Sequence, residues 1–465
     1  MEPLILRDNS LTPCATDEYI EELRYLSEHT LQELIKSEEL LAFPYSFSQL
    51  HGIDDKELSL FHLRNGGREI ATGNLMGFIG YNNLRISILS RFAPSGKADS
   101  FLQYMLMKTG GVNIFQLEHT GAIDQTFNLM IFLFPMILKK AMVQGLFKEY
   151  CNRQYNDPDI KGRIDVSRHI RKNIPFSGAI AYNSREYSYD NRITQLIRHT
   201  VEYIKCSAYS AILENDADTK EYVSQIVRAT PNYDLRMRSS IINKNIQPVN
   251  HPYFCNYMDL QKLCLQILRN EQFKYGVHSN KVHGILFDGA WLWEEYVNTI
   301  LSGCGFIHPK NKEKSGWKNL LTSDSQHKWR CYPDFYREAS EKIPAIVLDA
   351  KYKRMRRGSS NTRDEESDDE KRFIQREDRY QIISYIHLFK AAVGGFIIPV
   401  SEMQGNTCCH SVGTLRGYGG TVLLFDLAIP SCADNFRNFS DAMQLEENHF
   451  KAGIEQYFRG IITKK

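Results

Sequence analysis

The spacing of apolar residues predicts the elements of the first third of the chain. Apolar positions at helical intervals predict an amphipathic helix over 17–41. Over 77–89, two strand-like stretches flank Asn82-Asn83, and the second alternates apolar with polar positions, which predicts a β-hairpin. The apolar run 129–138 is much shorter than the roughly 20 residues that a membrane helix needs. It therefore predicts part of a buried helical region that reaches residue 150.

Helical and strand-like patterns alternate in the last part of the chain. From residue 286 onward this alternation predicts an α/β (α+β) fold in which helices flank a mixed sheet. The predicted helices are 286–301 and 373–392, and the predicted strands are 330–336, 345–352, 396–400 and 421–429. The acidic segment 358–370 has no apolar face to bury and is predicted to be a mobile loop.

The length of 465 residues is typical of about three domains. We predict an N-terminal α+β domain over 1–150 and an α/β domain over 280–465. Residues 151–275 contain one strand-like stretch, 161–166, and a clear helical pattern over 190–204. This middle region is predicted to be mostly helical.

The composition excludes several classes of protein. With 42% hydrophobic and 24% charged residues, the chain is typical of globular proteins and not of disordered or fibrous ones. The 57 Lys and Arg residues against 55 Asp and Glu leave a net charge of +2, so binding to nucleic acid would have to use a local basic patch. The sequence has no G-x-x-x-x-G-K-[ST] motif, which excludes a P-loop NTPase.

The cysteines and the N-terminus bear on the cellular compartment. The ten cysteines form no C-x-x-C motif, and scattered thiols are typical of a reducing compartment. Cys408-Cys409-His410 is a local cluster without a second ligand pair, so it predicts a surface turn and not a zinc site. The first residues lack the pattern of a secretion signal. We therefore expect a cytoplasmic protein that does not enter a membrane.

Two aspartates and a lysine follow strand-like stretches of the last domain. Asp349 follows the apolar run 345–348, which is typical of a central strand, and Lys351 points to the same face. Asp334 belongs to a Pro-Asp pair on a neighbouring predicted strand. Metal-dependent hydrolysis of phosphodiesters needs two carboxylates on one Mg²⁺ and a cation near the attacking water. The alternative interpretation is a surface salt bridge, which the short pattern by itself fits equally well.

Two predicted helices bring further polar groups to this region. Glu294 and Glu295 lie on a helix that is otherwise packed by apolar residues. Glu294 is the candidate for a third carboxylate at the metal, whereas Glu295 is predicted to be solvated. Gln381 and Tyr385 are four residues apart and share one helix face, from which they can hydrogen-bond a phosphate or the catalytic carboxylates.

Five cations lie within the seven residues 351–357, just beyond the predicted catalytic strand. Lys353 and Arg354 are predicted to contact DNA phosphates. Arg356 and Arg357 either join them or form a solvated strand end. The acidic residues 364–370 carry the opposite charge, and our hypothesis is that they cover this patch when DNA is absent.

In this combination of motifs the chain resembles the PD-(D/E)xK nucleases, in the branch that has a Gln-x-x-x-Tyr helix. More widely it resembles the McrC family, the nuclease subunits of McrBC-type restriction systems. The stretches that carry this resemblance, in family order, are 77–89, 145–150, 162–165, 186–192, 293–297 and 333–353. The chain departs from the family pattern in its acidic insertion after Arg357 and in Trp293, where the family more often has Phe.

The resemblance implies an endonuclease subunit of a multi-subunit restriction system that acts against foreign DNA. The residues expected to bind Mg²⁺ are Asp334, Asp349 and Glu294, with the carbonyl of Ala350. The residues expected to act on the water or the phosphate are Lys351, Gln381 and Tyr385. The implied partners are double-stranded DNA, further restriction subunits and a McrB-like AAA+ NTPase that docks on the N-terminal domain. Two alternatives are a DNA-repair nuclease of the same fold and a non-catalytic adaptor that stimulates the NTPase.

Overall fold

The structure is a computed structural model, and its elements fall into two compact units. It describes residues 4–13, 19–37, 39–44, 59–94, 99–110, 122–207, 209–214, 216–273, 282–309, 317–321, 329–340, 344–353, 374–401, 407–417, 419–431 and 435–462. The first unit combines Met1–Gln125 with Asn280–Lys465, and the second is Thr126–Ser279. This division differs from the predicted boundaries at 150 and 280, because the N-terminal and C-terminal segments share one sheet.

The N-terminal part of the first unit begins with short strands and helices. In chain order they are β1 (Leu4–Arg7), β2 (Leu11–Pro13), α1 (Ile20–Glu28), α2 (Leu31–Ser37), β3 (Glu39–Phe43), β4 (Phe61–Arg64), β5 (Glu69–Thr72), β6 (Leu75–Tyr81), β7 (Leu84–Leu89) and α3 (Ser100–Gly110). The single helix predicted over 17–41 is wrong. The segment forms two helices, because Thr30 caps the start of α2. The Oγ1 of Thr30 accepts from the Glu33 N–H at 3.2 Å, and Oε2 of Glu33 accepts from the Thr30 N–H at 2.9 Å.

Helices predominate in the second unit, as predicted, beside a small antiparallel sheet of order β8-β10-β9. Its elements are most of α4 (Ala122–Met142), β8 (Glu149–Asp157), β9 (Arg163–Ile164), α5 (Val166–Lys172), β10 (Ile180–Ser188), α6 (Arg192–Lys205), α7 (Ala217–Ala229), α8 (Arg238–Lys244) and α9 (Tyr257–Phe273). The helix predicted over 190–204 corresponds to α6. It begins after Asn191, whose side chain accepts from the backbone N–H groups of Ile193 and Thr194.

The C-terminal part of the first unit returns to the alternation of strand and helix that the sequence predicts. Its elements are β11 (His283–Asp288), α10 (Gly289–Leu301), β12 (Lys318–Asn319), β13 (Arg330–Cys331), β14 (Phe335–Arg337), β15 (Ile346–Ala350), α11 (Arg376–Phe389), β16 (Val393–Val400), β17 (Cys409–Thr414), β18 (Thr421–Ala428) and α12 (Phe436–Ile462). The mixed α/β fold class is confirmed.

The first large sheet has the strand order β1-β7-β6-β11-β3. Its β6–β7 hairpin turns at Asn82, which has a positive φ of 50°, and confirms the hairpin predicted over 77–89. β11 lies between β6 and β3, antiparallel to the first and parallel to the second. Gly77 and Gly284 sit where β6 and β11 meet, and a side chain on either would collide with the backbone of the opposite strand.

The second large sheet, of order β14-β15-β16-β18-β17, carries the candidate site. β15, β16 and β18 are parallel, and the two outer strands are antiparallel to their neighbours. Every residue of β16 is buried, as are Ile346–Asp349 of β15, so both strands are covered on both faces. This explains why the run 345–348 is apolar throughout and why the residues at its end are held rigidly.

Two elements near the C-terminus have no counterpart in the sequence-based prediction. They are β17 and the 27-residue helix α12. The surface turn predicted at Cys408-Cys409-His410 is wrong, because Cys408 is buried against α12. Its Sγ lies so close to Gly453 that any side chain at position 453 would collide with it. His410 lies in β17, with Nε2 3.2 Å from Oδ2 of Asp426. Among the described helices, none is long and apolar enough to cross a membrane.

Candidate active site

Asp334 and Asp349 are brought together by the pairing of β14 with β15. Phe335 pairs with Leu348, so Asp334 and Asp349 stand one position further along on adjacent antiparallel strands. Asp349 is 1% exposed. The backbone N–H of Ala350 donates to Oδ2 of Asp334 at 2.8 Å, which fixes the carboxylate of Asp334 against the end of β15.

Both carboxylates are costly to ionise in this buried position. Burial raises the pKa of Asp334 well above its ordinary range, and the charges of Asp349 and Glu294 raise it further. Burial also raises the pKa of Asp349, although the ammonium group of Lys351 opposes that shift. A cation placed between these carboxylates would therefore be strongly favoured.

Lys351 links the end of β15 to helix α11. Its Nζ is 2.6 Å from Oδ2 of Asp349 and donates to Oε1 of Gln381 at 2.8 Å. Its backbone N–H donates to the carbonyl of Ile397 in β16 at 2.9 Å, which continues the strand contact by one residue. Burial lowers the pKa of Lys351, but the Asp349 carboxylate outweighs burial, so the net shift is upward and the side chain remains cationic.

Gln381 and Tyr385 form one chain of hydrogen bonds on the inner face of α11. Nε2 of Gln381 donates to Oη of Tyr385 at 2.9 Å, and Oη of Tyr385 donates to the carbonyl of Tyr332 at 2.8 Å. Burial raises the pKa of Tyr385, so its hydroxyl stays protonated and can donate. The chain connects Lys351 to the residues that precede Asp334.

Glu294 acts on the site through its charge. It lies on α10, and its carboxylate contributes to the raised pKa of Asp334. It also raises the pKa of His308. Helix α10 begins at the end of β11, where Asp288 accepts from the backbone N–H of Ala290 at 2.9 Å.

His308 is a site residue that the sequence reasoning missed. Its Nδ1 lies 2.8 Å from the backbone carbonyl of Asp334, and its ring stacks on Phe335 with the centroids 4.9 Å apart. Its Nε2 is 3.8 Å from Oε1 of Glu295, the residue that the sequence predicts to be solvated. Burial lowers the pKa of His308, but the contacts with Glu295 and Asp334 reverse this and raise it.

Asp378 is the second residue that the sequence reasoning missed. It is 4% exposed and lies 2.6 Å from Nζ of Lys353 and 3.7 Å from Nζ of Lys351. Lys353, predicted to contact DNA, also donates to Oε1 of Gln375 at 3.0 Å. The structure thus places the partly exposed Lys353 in an ion pair with the buried carboxylate of Asp378. Asp378 precedes Gln381 by three residues, so helical spacing was the signal that could have revealed it.

The remaining candidate residues for DNA contact cannot be placed. Arg354, Arg356 and Arg357 lie outside the described residues, as does the acidic segment 364–370. Their predicted roles stay predictions.

The oxygen donors of the site fit a hard divalent cation. Among the described residues, no preformed cluster of three His, Cys, Asp or Glu side chains stands at metal-ligand spacing. Asp334 and Asp349 nevertheless present two buried carboxylates that repel each other, with the raised pKa values noted above. Mg²⁺ usually takes only one or two protein carboxylates and keeps several waters, so this pair suits it.

The structure brings together the arrangement that the sequence predicts: two carboxylates and a lysine at the end of a buried central strand, flanked by a Gln-x-x-x-Tyr helix. A family model described as McrBC 5-methylcytosine restriction system component matches residues 70–399. The match covers more than half of the sequence, and the chain belongs to this family. The predicted resemblance to McrBC systems is confirmed at this level.

Two solved structures from Thermococcus gammatolerans are similar to this chain. A half-complex of McrB AAA+ hexamers with bound McrC is 15% identical, covers 96% of this chain and 100% of that chain, and has a TM-score of 0.49. The cryo-EM structure of the McrBC complex is 16% identical, covers 65% of this chain and 87% of that chain, and has a TM-score of 0.31. No curated protein gives a significant match.

Proposed function

We propose that this protein is the endonuclease subunit of a McrBC-type restriction system. It hydrolyses phosphodiester bonds of double-stranded DNA with Mg²⁺, in complex with an AAA+ NTPase. Family membership supports the restriction system. The nuclease activity rests on one observation: Asp334, Asp349 and Lys351 meet at the end of the buried strand β15, with Nζ of Lys351 2.6 Å from Oδ2 of Asp349.

Each side chain has a part in the proposed reaction. Asp334 and Asp349 would hold Mg²⁺, which would supply Lewis-acid stabilisation of the phosphate and help to activate the attacking water. Glu294, on α10, completes the site or is bridged to it by a water. Lys351 remains cationic, so it can orient the attacking water and offset the negative charge that develops on the phosphate.

The hydrogen-bond chain on α11 supports these groups. Gln381 accepts from Lys351 and donates to Tyr385, so the direction of the Lys351 side chain is fixed by neighbours that are themselves held. The contact of Tyr385 with the Tyr332 carbonyl ties the same helix to the segment that carries Asp334. Positioning of this kind lowers the entropy cost of reaching the reactive geometry.

The AAA+ partner is part of the proposal. The sequence has no P-loop motif, so nucleotide hydrolysis would have to come from another chain. In the similar half-complex, McrC is bound to McrB AAA+ hexamers. We propose a corresponding McrB-like partner for this chain.

Cleavage of supercoiled plasmid tests the function. The purified wild type, Asp349→Ala and the control Asp441→Asn, which alters an exposed carboxylate on α12, are compared with and without the AAA+ subunit, Mg²⁺ and nucleotide. We expect internal double-strand cuts that need all three additions, vanish in Asp349→Ala and persist in Asp441→Asn. Partner-independent digestion from DNA ends would favour a repair nuclease. Absence of cleavage with intact stimulation of the NTPase would favour an adaptor.

A further inference from the structure

The strands β12 and β13 form a two-stranded ribbon just before the candidate site. Lys318 pairs with Cys331 and Asn319 with Arg330. The backbone N–H of Leu320 donates to the Trp329 carbonyl at 2.8 Å, which extends the pairing by one step. The Trp329 N–H donates to Oδ1 of Asn319 at 3.0 Å. The described part of the ribbon, residues 317–321 and 329–331, is therefore internally ordered.

The ribbon presents cations and aromatic rings to solvent. Lys318 and Arg330 are exposed, and Trp329 is 60% exposed. The guanidinium of Arg330 lies over the Trp317 ring, 5.0 Å from its centroid, which holds the cation in place. Residues 317–321 and 329–331 contain no Asp or Glu. A surface of this kind is complementary to the sugar-phosphate backbone of a nucleic acid.

The ribbon is anchored to the strand that leads out of the candidate site. Nζ of Lys318 lies over the ring of Tyr336 in β14, 5.5 Å from its centroid. The linker between the ribbon and Asp334 is held as well, because the Tyr332 carbonyl accepts from Tyr385. These two contacts tie the ribbon and its linker to the elements that hold Asp334.

The separation along the chain suits one strand of DNA. Arg330 is four residues from Asp334, so their Cα atoms are at most about 14 Å apart. Successive nucleotides of one strand rise by about 3.4 Å, so this limit corresponds to at most about four nucleotides along the helix axis. The cations of the ribbon are thus within reach of phosphates that flank the scissile one.

We infer that the β12–β13 ribbon binds the backbone of duplex DNA beside the scissile phosphate, with Lys318 and Arg330 on phosphates and Trp329 packed against the adjoining nucleotide. This inference rests on the proposed function and adds a DNA-binding element to it. It also supplies cations that are open to DNA, whereas Lys353 is engaged by Asp378.

Binding without cleavage tests this role. The parent is the full chain carrying Asp349→Ala, in EDTA, and its affinity for a fluorescent duplex is measured by anisotropy between about 50 and 200 mM salt. Lys318→Gln and Arg330→Gln should each weaken binding on every sequence and reduce the salt slope by about 0.9. Trp329→Ala should weaken binding at least about fivefold without changing the slope. Arg416→Gln, which removes an exposed cation in the turn that enters β18, is the matched control and should change neither.

A second measurement uses the indole itself. Addition of duplex to the parent should quench tryptophan fluorescence, and Trp329→Phe should lose most of that quenching. Equal affinities and slopes for the parent and all three ribbon variants would overturn the inference, and so would a parent that binds no duplex. If the ribbon variants bind more weakly but the wild type cuts no DNA with its partner, the inference stands and the proposed function fails.

Discussion

Nζ of Lys351 lies 2.6 Å from Oδ2 of Asp349, so the candidate catalytic cation and carboxylate are held as a pair at the end of one buried strand. Asp349 is set by the pairing of β15 with two neighbours, and Lys351 by Gln381 on the next helix. The pair is therefore positioned before any substrate binds, which is what an electrostatic role at a phosphate requires.

Replacement of Lys351 tests that role. Lys351→Gln should lower kcat by about 10²–10³, the usual cost of removing one hydrogen-bond donor that stabilises a transition state. Lys351→Arg should not restore activity, because the planar guanidinium cannot take the place of a compact ammonium between Asp349 and Gln381. Single-turnover plasmid cleavage is the measurement, and wild-type rates in Lys351→Arg would contradict a role that depends on this geometry.

Removal of the α11 hydrogen-bond chain should weaken catalysis without abolishing it. Gln381→Ala leaves Lys351 without one of its acceptors, and we expect a loss of about 10- to 100-fold in kcat. Ser384→Ala is the matched control: its hydroxyl is on the exposed side of the same helix and bonds only the Tyr380 carbonyl among the contacts resolved for it. A Gln381→Ala variant as active as Ser384→Ala would show that the chain is dispensable.

Stability should improve when a repelling carboxylate is removed. Because burial raises the folded-state pKa of Asp334, the stability it contributes is present below its ordinary pKa near 4 and is lost as pH rises through the raised value. In EDTA at neutral pH, Asp334→Asn should therefore melt higher than the wild type, by roughly 1–3 °C. The difference should shrink as the pH falls towards about 5. Thermal melts across this range, with Asp441→Asn as the control, would contradict the assignment if the difference were constant.

Mg²⁺ should stabilise the folded protein through the same carboxylates. A ligand that binds only the folded state raises the melting temperature with its concentration. We expect a Mg²⁺-dependent rise in the wild type and in Asp441→Asn, and none in Asp349→Ala. This readout needs neither DNA nor a partner. An equal rise in all three proteins would place the cation elsewhere.

Glu447 of α12 should be essential for stability although it lies outside the site. Its Oε1 accepts from the hydroxyls of Tyr104 in α3 and Tyr296 in α10, at 2.9 and 2.8 Å, and its Oε2 is 2.9 Å from Nζ of Lys108. Glu447→Ala leaves these buried donors without their acceptor and should cost about 2–4 kcal/mol in the free energy of unfolding. Gln444→Ala, at an exposed position one turn earlier on the same helix, should cost little. Urea denaturation compares the two, and equal midpoints would contradict this account.

The central strand and the α11 pair were predictable because their signals are local. A strand covered on both faces must be apolar, which marks 345–348, and a helix must bring residues four apart to one face, which pairs Gln381 with Tyr385. The same rule extends to Asp378. These residues can be read from short windows of sequence.

His308 and the shared N-terminal sheet were not predictable in this way. His308 reaches the backbone carbonyl of Asp334, 26 residues away, and a contact with a backbone atom leaves no trace in the identity of the partner residue. β11 pairs with β6 and β3, which lie far away in the sequence, and such pairing is decided by tertiary packing. The prediction of one helix over 17–41 was wrong for a related reason. The apolar residues at the start of β3 follow those of α2 at helical spacing, so the sequence pattern alone does not separate the strand from the helix.

The buried carboxylate of Glu447 has a consequence for when this protein can become active. Helix α10 carries Glu294, and its Tyr296 donates to Glu447, which is synthesised 151 residues later. Strand β16 likewise receives its second neighbour only when β18 has been made. A nascent chain that has just extended past Tyr385 already contains every proposed catalytic residue but lacks both supports. Chains that end before β18 and α12 should therefore be unable to assemble the proposed active site.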